Sequence, residues 1–179
     1  MNNSVQEPVK ETRQPNGRLT FYHANAKGTG AAARLELKLN RDGDERRACF
    51  FLEMSKQKTA AVRESDTRTP ATFDWDAKAT VKLGFTDVCE MLAVLDSRQE
   101  QAGGRRNGLY HQSGNVNTII TLKKAVEFAG YDLGISRKDS AGNEVFRGHI
   151  LLNEVEALGL RYVFQAGLFH LAFHASLQS

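Results

Sequence analysis

Apolar and polar residues alternate along much of this chain, most regularly between Phe73 and Phe85. Trp75, Ala77, Ala79, Val81 and Leu83 hold every second place, with Asp74, Asp76, Lys78, Thr80 and Lys82 between them. A period of two predicts a strand with one buried face and one wet face, here cationic towards its end. On that spacing Trp75 belongs to the buried face with Phe73, Val81 and Leu83. Gly84 breaks the pattern, Thr86 is the expected helix cap, and Asp87 and Glu90 place negative charge in the first turn. Val88, Met91, Leu92 and Leu95 then recur at i, i+3, i+4 and i+7, the stripe of an amphipathic helix.

The same patterns order the rest of the chain. Residues 1–18 hold two of the three prolines and few apolar residues, which predicts a disordered tail. Strands are expected over 19–25, 31–39 and 48–56, with an Asp-Gly turn at 40–44 and a polar loop over 57–71. A Gly-rich, charged linker over 98–107 precedes a second series of strands at 109–112, 115–124, 131–138 and 145–152. Asn153 is placed to cap a second helix running to about Ala175, with Glu156 completing a capping box. The order is four strands and a helix, twice: a first half over 19–97 and a second over 108–179, read as one domain. Hairpin-length connections predict two mainly antiparallel four-stranded sheets in an α+β fold.

The second helix is apolar around most of its circumference, and one sheet covers only one side of a helix. Assembly of several copies through this helix is therefore expected, with Leu160, Phe164, Leu168 and Leu171 as interface residues; the alternative is a helix at the centre of a monomeric core.

Composition narrows the function. The 179 residues carry a formal net charge of +3, which permits a polyanionic partner without requiring one. Cys49 and Cys89 fit reduced thiols in a cytoplasmic protein better than a disulfide framework. No apolar leader or membrane span is recognisable, so a secreted or membrane protein is not expected. His170 and His174 stand at a spacing that two metal ligands use, but no third ligand accompanies them. The segment Lys27-Gly28-Thr29-Gly30 lacks the spacing of a phosphate-wrapping loop. No nucleophile–base constellation stands out, so neither catalysis nor a metal or cofactor is expected.

A binding surface is better supported. The wet strand faces and their flanks carry Lys27, Arg34, Lys38, Lys56, Lys58, Lys78 and Lys82 in the first half, and Lys123, Arg137, Lys138 and Arg147 in the second. Tyr22, Phe51 and Tyr110 interleave rings at positions whose alternation does not require burial. Cations for phosphates beside rings for unstacked bases suit a single-stranded nucleic acid. Neither helix is basic enough to enter a duplex groove. A protein-interaction scaffold that binds peptides along a sheet edge is the rival reading.

Phe73-Asp74-Trp75, Lys78, Leu83 and the helix after them resemble the YDW-x-x-K-x-x-x-x-L stretch of the Whirly single-stranded-DNA-binding proteins. Tyr22 to Ala32 is similar in place to that family's Lys-Gly-Lys-Ala-Ala segment, although Gly-Thr-Gly stands where the family has Gly-Lys. Leu109-Tyr110-His111 falls where the family has Phe-Phe-His. The trypanosome mitochondrial guide-RNA-binding proteins share the same twice-repeated plan. The resemblance implies a homotetramer with central helices and outward sheets. It also implies single-stranded DNA, or RNA, bound along the sheets with little sequence preference.

Overall fold

The computed structural model describes residues 17–39, 48–64 and 67–173. Most of the expected tail and the 40–44 turn lie outside these residues. The first half contains β1 (Arg18–His23), β2 (Ala31–Lys38), β3 (Cys49–Thr59), β4 (Val62–Glu64), β5 (Thr67–Thr69), β6 (Thr72–Phe73), β7 (Ala79–Leu83) and α1 (Phe85–Leu95). The second contains β8 (Leu109–Ser113), β9 (Val116–Lys124), β10 (Gly130–Asp139), β11 (Glu144–Asn153) and α2 (Glu154–Phe173).

All strand pairings are antiparallel. The first sheet runs β1-β2-β3, with β6 and β7 both pairing with β3, and the second runs β11-β10-β9-β8. The segment expected to be a polar loop forms the end of β3 and a short β4–β5 hairpin.

The strand expected to run unbroken from Phe73 is interrupted. After β6 the chain turns through Trp75, Asp76 and Ala77 before β7 begins. The Ala77 amide donates to Asp74 Oδ1 across this turn, at 3.3 Å. Helix α1 also starts earlier than Thr86 predicts. Gly84 is its cap, and the Gly84 amide donates to Asp87 Oδ2 at 2.8 Å. At α2 the expected capping box is present. Asn153 Oδ1 accepts from the Val155 and Glu156 amides, and the Asn153 amide donates to Glu156 Oε2.

One hydrophobic cluster joins both halves, with Phe50, Leu52 and Leu83 meeting Ile120, Leu133, Leu152 and Phe164. Helix α2 crosses the first sheet closely. Gly167 faces Phe50, and a Cβ there would collide with its ring. The helices are also joined by the Arg161–Asp96 ion pair.

The repeat is written in three residues of each half. Phe21 and Leu109 are buried, Tyr22 and Tyr110 are exposed, and His23 and His111 each reach a capping carboxylate. These contacts cross between halves. His23 of β1 meets Glu156 of α2 at 2.9 Å, and His111 of β8 meets Asp87 of α1 at 3.0 Å. Each capping acid is thus held by the first strand of the other half.

Candidate nucleic-acid interface

Strand alternation and register give each sheet an outer face away from the shared core. On the first sheet this face carries Tyr22, Arg34, Lys38, Phe51, Glu53, Thr80 and Lys82. Arg34 is not a free cation. Its Nε donates to Glu53 Oε2 at 2.7 Å, and its guanidinium lies 4.2 Å from the centre of the Trp75 ring. Lys78 meets the other Glu53 oxygen at 3.2 Å, and the Thr80 hydroxyl donates to that oxygen.

Trp75 is consequently absent from the main core, contrary to the alternation argument. The turn before β7 releases it from the period-two register and lays it on the outer face. Lys38 and Lys82 flank Phe51 at the far end of this face, with the Lys38 ammonium 5.9 Å from the ring centre. Beside them Cys49 is buried; burial pushes its thiol up, against the opposing pull of Lys82 and Lys38.

Burial acts to raise the Glu53 carboxyl, but hydrogen bonds and charge from Arg34 and Lys78 outweigh it and hold the group below its ordinary value. A depressed native pKa stabilises the fold above the unfolded value, and that stability fades as pH falls through the native one. Glu53→Gln should therefore cost about 1–3 kcal/mol at neutral pH, where charged hydrogen bonds are lost. The difference from wild type should shrink on acidification below about pH 4. Urea unfolding across pH checks both; a gap that widens towards acid contradicts the assignment.

On the second sheet the outer face carries Tyr110, Ile119, Lys123, Asp132, Ser136, Arg147, His149 and Leu151. Arg147 pairs with Glu144 at 2.7 Å, while Asp132 takes His149 at 3.1 Å and Lys123 at 3.8 Å. The exposed Lys138 has no ion-pair partner among the described residues.

Four sequence-predicted cations lie elsewhere. Arg137 has the inner-face parity of Ile135 and Leu133, and donates to the Thr80 carbonyl of the first sheet. Burial lowers its pKa. Lys56 shares the parity of Met54 and rests 5.6 Å from the centre of the Phe146 ring. Lys58 is exposed next to the β3 bulge. Lys27 is exposed at the tip of the β1–β2 turn, which Gln57 anchors. Gln57 Oε1 accepts from the Asn25 and Gly30 amides, and its Nε2 donates to the carbonyls of Asn25 and Thr59. The anchoring role of Gln57 leaves no signal in local periodicity.

The residues expected to form an interface on α2 are packed inside the chain. Leu160, Phe164 and Leu171 are buried within the chain and Leu168 is partly buried, because their stripe packs on both sheets. Val155, Leu158, Tyr162, Phe169 and Phe173 form the exposed apolar side instead.

Among the described residues no three His, Cys, Asp or Glu side chains gather as a metal site. No helix among them is long and apolar enough to cross a membrane. One depression among the described residues is lined by Glu90, Gln99, Glu100, Gln101, Gly103, Gly104 and Arg105, without a nucleophile–base pair.

No known family model and no curated protein matches this sequence. Solved structures match its fold. A trypanosome MRP1/MRP2 structure is 17% identical, covering 91% of this chain and 90% of that one, with a TM-score of 0.60. WHY3 from Arabidopsis thaliana is 15% identical, covering 86% and 89%, also at 0.60. The plant transcriptional regulator PBF-2 is 13% identical, covering 89% and 85%, at 0.61. The chain has the Whirly-like α+β fold, two antiparallel sheets each followed by a helix.

Proposed function

We propose that this chain is a non-catalytic protein that binds single-stranded nucleic acid, mainly DNA and with little sequence preference, in genome maintenance or transcription. The observation that carries this reading is an exposed ring, Tyr110, together with unpaired lysines, Lys38, Lys82 and Lys138, on outward sheet faces. Rings accept unstacked bases of any sequence, and lysines meet the phosphates between them. Fold neighbours support the reading: one is named as a plant transcriptional regulator, and another as a guide-RNA-binding protein complex bound to its RNA. The latter favours RNA as the second reading. A homotetramer joined through the exposed side of α2 completes the proposal.

Fluorescence anisotropy with labelled single strands tests it. Contacts from Lys38, Lys82 and Lys138 give a slope of log K against log salt of about −2, at roughly −0.7 per phosphate. Lys82→Glu with Lys138→Glu should weaken binding about tenfold or more at low salt, since repulsion replaces two phosphate contacts. Lys78→Glu should do less to binding, because Glu53 already neutralises Lys78. Salt-insensitive binding, or none, refutes the proposal; parallel titrations with DNA and RNA of one sequence decide between the two ligands.

A further inference from the structure

The two outer faces are unequal. On the first sheet Ala32 and Ser55 are cross-strand neighbours on the outer face, yet both are fully buried. The β6–β7 segment accounts for this. Phe73 pairs with Gln57 on that face, with its ring 5.5 Å from Tyr22, and Trp75 lies against Arg34, itself fixed by Glu53. The middle of the face is roofed by the protein's own aromatic residues.

Among the described residues the corresponding surface of the second sheet has no such roof. Tyr110, Ile119, Ser136 and Arg147 form one row across its four strands, and Thr121, Gly134 and His149 line the adjacent row. Tyr110 is 55% exposed and Ile119 40%. The Tyr110 hydroxyl donates to Asn117 Oδ1 at 2.7 Å, which fixes the ring before any ligand arrives and lowers the ordering cost of stacking on it. Arg147, Lys123, Lys138 and His149 surround this apolar centre. The carboxylates there, Glu144 and Asp132, already hold cations. A flat apolar centre with the unpaired Lys138 at its edge, and with Arg147, Lys123 and His149 held in place by Glu144 and Asp132, is complementary to a base on a phosphate backbone.

We infer that each chain receives nucleobases on the outer face of its second sheet, over Tyr110 and Ile119, while the first sheet is closed to them by the Phe73–Ala77 turn. The inference rests on the proposed single-strand binding and adds which face does it. The lone tryptophan, Trp75, is a built-in reporter because it lies on the closed face.

The test titrates the unmodified full chain with oligothymidylate, following labelled-strand anisotropy and Trp75 emission together. Anisotropy is expected to saturate while Trp75 emission stays unchanged. Tyr110→Ala and Ile119→Asp should each weaken binding about tenfold, in the range of one lost stacking contact. Tyr22→Ala should weaken it less than threefold. Thermal melts confirm that the variants are folded, and the unmodified chain provides a readout independent of them. Quenching of Trp75 at saturation overturns the assignment, as does a Tyr22→Ala loss matching that of Tyr110→Ala; either leaves single-strand binding intact. A wild-type chain that binds no single strand overturns the parent reading and this one with it.

Discussion

Phe164→Ala is expected to cost about 3–5 kcal/mol of stability, the range for truncating a fully buried aromatic side chain. Phe164 is 1% exposed, and its ring meets Phe50 edge-on at 5.2 Å between centroids. Phe50 is itself packed under Gly167, so the cavity opens between α2 and the first sheet and little can collapse into it. This result separates two roles for the residue. A side chain in an interface between copies would lower the order of assembly and make the loss depend on protein concentration. A side chain in the core lowers the unfolding midpoint at every concentration. Chemical unfolding over a hundredfold concentration range checks it, and a loss confined to dilute samples would return Phe164 to an interface.

The complementary substitution is Tyr162→Glu with Phe169→Glu, which is expected to convert the proposed homotetramer to single chains of 19.9 kDa. Both residues are 60% exposed on the outer side of α2. With Val155 and Leu158 towards its N-terminus and Phe173 at the other end, they form an apolar strip along the helix. Two carboxylates placed there would face their symmetry mates across any two-fold contact, and burying unpaired charge costs several kcal/mol. Because neither side chain supports the chain's own core, the monomer should keep its thermal stability. Light scattering coupled to size exclusion gives the mass. An assembly of unchanged mass would show that α2 is not the joining surface.

Much of the fold was legible in the sequence because alternation and helical stripes are local signals. The limits of β2, β9, β10 and β11 fall within a residue or two of their expected places, and the Asn153–Glu156 box sits where its spacing put it. What misled was continuity. Trp75 kept the period-two beat, yet the chain turns between Asp74 and Lys78, and a turn followed by re-entry two places on preserves parity while moving the side chain to the other side. Periodicity cannot register that. Helix α2 misled differently: it is apolar on two faces, and pattern alone cannot say which one its own sheets will take. The buried stripe through Leu160 and Phe164 and the exposed strip through Tyr162 and Phe169 lie on opposite sides of the helix, and both are apolar. The candidate site was the least legible part. Cations were countable, but Glu53 and Asp132 neutralise several of them across strands, and register is a property of pairing rather than of any single strand. The inward aim of Arg137 follows from its alternation with Ile135 and Leu133, a signal the sequence did contain.

The exchanged contacts between halves bear on how the chain comes to be folded during its synthesis. His23 waits for Glu156, 133 residues further along. Phe50 is sealed only when Phe164 and Gly167 arrive over it. A nascent chain whose first four strands have left the ribosome therefore holds a sheet with no cover for its inner side. Such long-range closure is slow and leaves apolar surface open to wrong partners. The first sheet cannot be covered until Phe164 and Gly167 have been made, so a chain cut short within α2 would be an aggregation-prone fragment rather than a smaller working protein.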